Sequence, residues 1–255
     1  MKRASVSILV LSLSGCGHLR TPLRQDLVDA EFVVPREDAR SATVSLETPG
    51  ELAVRGGSCS LVKARARYDA ARTDARTAFE VDESGHGSVV IALEKSVRPF
   101  SEASVDACLT TEIPLQLQAV AGVGDARFDL SGIQLRAFEV ASGVGDVAVD
   151  FGDASVAAPS MTIEAGTGDV TIDAKRGTWT GENHLDIEAG TGDITVYLPR
   201  GIGLHVEVER GIGGLEVRGL DKDGDDYVNT LAASAEDRLE VEIEVGTGDV
   251  TVIAG

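Results

Sequence analysis

Apolar and polar residues alternate on both sides of a Gly-x-Gly-Asp motif that recurs through the second half of the chain. Counting from the first Gly of each copy, the positions five and three residues before it and four and six residues after it are always apolar. This alternation has the period of a β-strand with one buried face. Its parity changes across the motif, so we predict a strand on each side and a turn at the motif.

The spacing of the copies predicts a repeat architecture. Copies begin at Gly122, Gly143, Gly166, Gly190, Gly211 and Gly246, at intervals of 21, 23, 24, 21 and 35 residues. A two-residue hairpin at each motif would place Glu164 opposite Asp169, and opposed like charges destabilise a sheet. A solenoid corner avoids that pairing and stacks the Asp residues of successive coils. We therefore predict an all-β, β-solenoid-like repeat domain of short strands with Gly-x-Gly-Asp corners, and an antiparallel β meander or sandwich stays as the alternative.

Glycine and aspartate have separate roles at the predicted corners. Glycine permits the positive φ that a tight turn needs, and an Asp side chain can accept hydrogen bonds from nearby backbone. The copy at Gly211 has Gly214 where the others have Asp. The residues that we expect to build the corners are Gly122, Gly124, Asp125, Gly143, Gly145, Asp146, Gly166, Gly168, Asp169, Gly190, Gly192, Asp193, Gly246, Gly248 and Asp249.

The N-terminus resembles a bacterial lipoprotein signal peptide. Lys2 and Arg3 precede an apolar run that ends in Leu13-Ser14-Gly15-Cys16, which matches the lipobox at all four positions. The resemblance implies cleavage after Gly15, diacylglycerol on the Cys16 thiol and acylation of the new N-terminus. An ordinary secretory signal or an uncleaved anchor is the alternative, although a run of about 10 residues is short for a span that needs about 20. Gly17 favours the outer membrane, facing the periplasm or the surface.

The chain divides on this basis into three parts. We predict a signal peptide over residues 1–15, a lipidated N-terminus and tether over residues 16–40, and the β-strand-repeat domain over residues 41–255. Removal of the signal would take the formal net charge from -19 to -21, which argues against nucleic acid and anionic headgroups as partners. Cys59 and Cys108 then remain, as a disulfide of an exported protein or as two free thiols.

Residues 41–255 resemble a bacterial adhesin-like, β-strand-repeat family of unknown function that includes toastrack-like domains of envelope proteins. The features that match are an opening strand pair, Thr111-Glu112-Ile113-Pro114 before the first motif, Val196-Tyr197-Leu198-Pro199, Tyr227, and the closing repeat over residues 239–254. The Asp-rich insert near Asp221 and the Gly211 copy depart from the pattern. The resemblance implies an extended all-β envelope domain without known catalysis.

Three kinds of chemistry are weighed against this pattern. The acidic corners suit Ca²⁺, but calcium β-rolls repeat every nine residues, and the insert after Asp221 lacks the Gly and Glu positions of an EF-hand loop. The four histidines have no zinc-ligand spacing. Glycoside hydrolysis needs a distinct carboxylate pair, and a repeat singles out none. We predict no metal, no cofactor and no catalytic residue, with a calcium-stabilised domain and a polysaccharide-active β-helix enzyme as alternatives.

The sequence therefore predicts a lipid-anchored cell-envelope protein whose repeat domain serves binding, adhesion or scaffolding. Its expected contacts are the membrane, through the lipid on Cys16, and an envelope protein or glycan, with no nucleic acid. Aromatic residues make up 4% of the chain, so sugar-stacking surface is scarce.

Overall fold

A computed structural model of the chain describes residues 2–3, 7–11, 27–95 and 103–255, and every regular element in these ranges is a β-strand. In the described ranges there is accordingly no helix with the length and apolar character of a membrane span. The strands are β1 Lys2–Arg3, β2 Ser7–Leu11, β3 Leu27–Val34, β4 Ser41–Thr48, β5 Glu51–Gly57, β6 Val62–Asp69, β7 Thr73–Val81, β8 His86–Lys95, β9 Ala103–Thr110, β10 Pro114–Val123, β11 Ala126–Asp129, β12 Gln134–Val144, β13 Val147–Asp150, β14 Ser155–Val156, β15 Met161–Thr167, β16 Val170–Asp173, β17 Thr178–Trp179, β18 Glu182–Thr191, β19 Ile194–Leu198, β20 Gly203–Ile212, β21 Leu215–Arg218, β22 Asp221–Asp223, β23 Asp226–Val228, β24 Arg238–Thr247 and β25 Val250–Ala254.

The strands form two long sheets, and each repeat contributes one strand to each sheet. Sheet 1 has the order β1-β7-β8-β4-β10-β12-β15-β18-β24-β20-β23-β22, and β14 and β17 join it beside β12. Sheet 2 has the order β2-β3-β6-β9-β5-β11-β13-β16-β19-β25-β21. Neighbouring repeats pair in parallel in both sheets. The predicted solenoid is confirmed, and the alternative of an antiparallel meander is wrong for the repeats.

The core lies between the two sheets, where the alternating apolar residues point inwards. Ile163, Ile187 and Ile243 lie side by side on sheet 1 and are fully buried. Aromatic rings continue the packing from coil to coil: the centroid of Phe138 lies 5.4 Å from that of Phe128 and 6.3 Å from that of Phe151. Each coil therefore buries its apolar face against its neighbours, as expected for a repeat that has no core of its own.

The spatial order of the coils differs from their order in the chain. The coil formed by β24 and β25 is the last in sequence, but it lies between the coil formed by β18 and β19 and the coil formed by β20 and β21. The segment over residues 219–237, which includes the hairpin of β22 and β23, provides the length for the chain to return. The predicted closing repeat therefore lies inside the solenoid, and the Gly211 copy lies at its end.

The N-terminal end of the solenoid shows that the predicted tether is too long. Strand β3 pairs antiparallel with β6, and its Phe32 and Val34 are buried in the core. The two prolines and mixed charge of residues 16–40 favoured a linker, but the alternation around Phe32 belongs to a sheet strand. Cys16 lies outside the described residues, and β1 and β2 lie within the predicted signal peptide.

A disulfide joins Cys59 to Cys108, with 6.2 Å between the two Cα atoms. Cys59 follows β5, and Cys108 lies in β9, which pairs in parallel with β5. The bridge spans 49 residues of sequence. Closing a loop of this length stabilises the fold by roughly 4 kcal/mol in the chain-entropy account.

Substitution of a corner glycine tests the close packing of the coils. Gly168 has a φ of +139°, and a Cβ atom there would collide with the carbonyl of Gly145 in the preceding corner. We expect Gly168→Ala to lower the free energy of unfolding by about 2–4 kcal/mol, measured by urea denaturation. The control is Gly181→Ala, where φ is +73° but the added Cβ meets nothing within 4 Å. Its expected cost is about 1–2 kcal/mol, and equal losses would contradict the collision.

Candidate functional site

The corner aspartates form a continuous hydrogen-bonded ladder along the solenoid. The Oδ1 atom of each Asp accepts a hydrogen bond from the backbone N–H at the same position of the next corner. The donor-to-acceptor distances are 3.1 Å from Asp146 to Asp125, 3.0 Å from Asp169 to Asp146, 2.9 Å from Asp193 to Asp169 and 2.8 Å from Asp249 to Asp193. The predicted stacking of the Asp residues is therefore present, and one oxygen of each carboxylate is used within the fold.

The ladder explains the corner that lacks an Asp. The N–H of Gly214 donates to Oδ1 of Asp249 at 2.6 Å, so this corner receives the preceding carboxylate like the others. Among the strands that the structure describes, no coil follows this corner in space, so a carboxylate at position 214 would meet no backbone N–H of a further corner. Asp249 donates its N–H to the Asp193 side chain and accepts from Gly214 through its own, whereas Gly214 has no side chain to accept a bond of this kind. This difference fits an internal position for the last coil in the sequence and a terminal one for the Gly214 corner.

A row of four glutamates lies beside the corners on the outer face of sheet 1. Glu164, Glu188, Glu244 and Glu209 are direct neighbours on β15, β18, β24 and β20, and all four are exposed. Neighbouring strands in a sheet lie about 4.8 Å apart, so the carboxylates stand close to one another. We call this row the glutamate ladder. A shallow groove runs along it, and Gly166, Gly190 and Gly246 line its other side.

Two further rows extend the acidic surface away from the corners. Asp186, Glu242 and Glu207 form the second row, and His184, Glu240 and His205 form the third. Each histidine has a nitrogen within 4 Å of a Glu240 oxygen, at 3.7 Å for His184 and 3.5 Å for His205. Within residues 27–95 and 103–255, no Lys or Arg nitrogen forms an ion pair with any of the eight carboxylates in the three rows.

Repulsion within this surface changes the titration of Glu188. Asp186 raises the pKa of the Glu188 carboxyl most, and partial desolvation and the charges of Glu164, Glu244 and Glu242 raise it further. Its carboxyl is therefore more readily protonated in the folded chain than in the unfolded chain. Folding stability is then lost as the pH rises from the unfolded pKa through the folded pKa. Glu188 is exposed, so solvent and salt screen the repulsion.

The outer face of sheet 2 has a different arrangement, because several of its acidic residues pair with Lys or Arg. Arg176 pairs with Asp150 at 3.1 Å and Lys175 pairs with Asp173 at 3.0 Å. Asp129, Asp150 and Asp173 also accept backbone N–H bonds two residues on, and so close the turn after each sheet 2 strand. Sequence analysis missed this second Asp row, although its signal is simple: an Asp seven residues after the first Gly of the motif.

The geometry brings many carboxylates together on the outer face of sheet 1, at positions suited to charge recognition. Among the residues that the structure describes, no group of three or more His, Cys, Asp or Glu side chains is arranged to hold a metal ion. The corner aspartates are brought together, but as acceptors of backbone hydrogen bonds. The carboxylates of the glutamate ladder are all exposed and repeat from strand to strand, and the raised pKa of Glu188 comes first from its acidic neighbour Asp186.

Neutralising one member of the glutamate ladder should stabilise the fold. We expect Glu188→Gln to raise the free energy of unfolding by roughly 0.2–1 kcal/mol at pH 7 and low salt, because it removes opposed like charges. The gain should shrink in 1 M salt, and at acidic pH where the wild-type carboxyl is protonated. Urea denaturation of both proteins across pH measures it. The control is Glu83→Gln, at an exposed turn. A gain that persists in 1 M salt, or a loss of stability, would contradict the repulsion.

Comparisons with known proteins agree with this architecture. Residues 24–173 match the family model described as the N-terminal domain of toast_rack, DUF2154, and residues 157–252 match the C-terminal domain of LiaF, described as a cell wall-active antibiotics response protein. No curated protein matches the chain.

One solved structure shares the fold. A “putative cell adhesion protein” from Clostridium sporogenes is 23% identical, with a TM-score of 0.68 over 89% of this chain and 99% of its own. A “putative adhesin” from Bacteroides fragilis is 14% identical, with a TM-score of 0.40 over 90% of this chain and 98% of its own. The toast_rack match covers more than half of the chain, and it begins before β3, in agreement with the inclusion of that strand in the domain. The chain therefore belongs to the toast_rack family, through the N-terminal domain DUF2154.

Proposed function

We propose that this chain is a lipid-anchored protein of the cell envelope that acts by binding or scaffolding, without catalysis, and that its partner contacts the outer face of sheet 1. The proposed location in the cell envelope rests on the lipobox at Cys16 and on the likeness to proteins whose names refer to cell walls and cell adhesion. The outer membrane is the expected site of the anchor, because Gly17 follows the lipobox cysteine.

The observation that carries the binding role is the difference between the two outer faces. Sheet 2 pairs several of its acidic side chains with cations, as in the pair of Lys63 and Glu31 at 3.1 Å. Sheet 1 places Glu164, Glu188 and Glu244 side by side and pairs none of them with a cation of the described chain. Opposed like charges destabilise a sheet, so this arrangement has an energetic cost to the fold. A partner with Lys or Arg side chains would offset that cost on binding.

The same surface limits the kinds of partner. With a formal net charge of -19, the chain repels nucleic acid and anionic headgroups at long range. A cationic protein segment is attracted to the rows of carboxylates, and the regular strand spacing favours an extended or repetitive partner. Catalysis is disfavoured because glycoside hydrolysis uses one pair of carboxylates at a defined separation, whereas these carboxylates repeat along an exposed face.

The anchor is tested by removal of its attachment site. We expect Cys16→Ala to release the chain from the membrane fraction, because the thiol that would carry diacylglycerol is lost. Fractionation of cells and detection in the membrane and soluble fractions measures this. The matched control replaces both Cys59 and Cys108 with Ala and keeps Cys16, so it should stay with the membrane. If the Cys16→Ala chain also stays there, the lipoprotein assignment is wrong.

The binding face is tested by crosslinking in intact cells. We expect the full chain to capture a dominant protein, and we expect Glu164→Gln, Glu188→Gln and Glu244→Gln together to reduce its recovery at least about tenfold, as for the loss of about 1.4 kcal/mol of attraction. Purification through a C-terminal tag and mass spectrometry would measure recovery.

The control for this experiment removes the same three charges elsewhere. Glu83→Gln, Asp153→Asn and Glu236→Gln change exposed residues in turns away from the glutamate ladder. Recovery from this control should equal that of the wild type. Equal recovery from both triple variants would place the contact on another surface, and the absence of any captured protein would contradict a protein-binding role.

A further inference from the structure

The coil formed by β20 and β21 leaves the core incompletely covered. Its inward side chains Val208, Leu215 and Val217 are only partly buried. Their neighbours on the adjacent coil, Ile243, Val250 and Val252, are at most 1% exposed. At the corner of the same coil, Ile212 is 74% exposed. An end coil normally protects a solenoid with a polar outer face, and this one does so only in part.

The same coil also has a free strand edge. In the described part of the chain, β21 pairs only with β25, and β20 is paired on its outer edge only at His205 and Val206, by β23. The remaining backbone N–H and C=O groups of β21 point away from the solenoid. Such an edge is a template for another strand. At the other end of the solenoid, β6 pairs antiparallel with β9 and β3 pairs antiparallel with β6, and the two strands extend the sheet beyond the repeats.

The corner at Gly214 argues against extension by a further parallel coil. At these internal corners, the Asp carboxylate accepts a hydrogen bond from the backbone N–H of the next corner. Gly214 has no carboxylate, so a further parallel coil would lack the hydrogen bond from backbone N–H to Asp side chain that joins the other corners. An antiparallel strand does not use that bond. The end of the solenoid therefore favours an antiparallel occupant.

The charges on β21 complement a second copy of the same strand. Glu216 and Arg218 point outwards, and they pair with each other at 2.6 Å in the single chain. A two-fold antiparallel pairing centred on Val217 places Glu216 opposite Arg218 of the second copy, twice. It also places Leu215 opposite Gly219 of the second copy and brings the two Val217 side chains together. Opposite charges and apolar pairs at directly opposed positions stabilise antiparallel strands.

We propose that a second copy of this chain docks on the end coil by antiparallel pairing of β21 with β21 about a two-fold axis. The interface is isologous, so each chain uses the same surface and the assembly closes as a dimer. The two solenoids then lie end to end, and the partly covered apolar residues of the two cores cover each other.

A symmetric disulfide tests the position of the axis. We expect Val217→Cys in the full chain, purified in detergent, to form a covalent dimer under mild oxidation, seen on a non-reducing gel. The matched control is Thr171→Cys, an exposed position on β16 of the same sheet. We expect Val217→Cys to give at least about tenfold more covalent dimer than this control. Equal yields would overturn the proposal.

Charge exchange tests the pairing by a second route and does not depend on a new cysteine. Glu216→Arg alone opposes like charges across the axis, and sedimentation equilibrium should show at least about tenfold weaker dimerisation. Combination of Glu216→Arg with Arg218→Glu restores opposite charges across the axis and should restore the dimer. Thermal unfolding of each variant checks that the monomer is folded. A wild-type chain that stays monomeric at high micromolar concentration, or single and double variants that associate equally, would overturn the proposal.

Discussion

The stacking of one corner on the next is the constraint on which the rest of the structure depends. The carbonyl of one corner lies where a side chain on the next would begin, so Gly168 has to lack a Cβ atom. This close approach brings the backbone N–H of Asp193 within 2.9 Å of the Asp169 carboxylate. The strands on either side are thereby held in register, and their apolar residues align into the rows that fill the core. Alternation alone gives a strand a buried face, whereas the corners decide which strand it lies beside.

Much of this architecture could be predicted, because repetition makes a weak local signal strong. One Gly-x-Gly-Asp motif indicates a turn, but six copies with the same apolar positions around them indicate a coil. The cost of opposing Glu164 and Asp169 also separated a solenoid from a hairpin. The solenoid nevertheless opposes Glu164 and Glu188, so like charges are not avoided but moved to another pair. The pairing of Glu164 with Glu188 depends on which strands become neighbours in the sheet, and the local pattern of the sequence does not reveal this.

The features that escaped prediction depend on contacts between distant parts of the chain. Residues 16–40 contain prolines and mixed charge, and the place of β3 in a sheet follows only from its pairing with β6. The internal position of β24 and β25 is matched by the two-sided hydrogen bonding of Asp249, which the sequence pattern did not reveal, and Gly214 was seen only as an irregular copy. The acidic surface likewise arises from four strands, β15, β18, β24 and β20, whose order in the sheet differs from their order in the chain.

The position of β24 and β25 also has a consequence for how the fold is reached. In the described structure, β21 has a single strand neighbour, β25, and β25 ends at Ala254. The coil that contains β21 therefore reaches its place in the solenoid only after β24 and β25 have been synthesised, since these later strands separate it from β18 and β19. Solenoids usually can grow from one end by the addition of neighbours in chain order. Here one coil is instead inserted between two coils that precede it in the sequence.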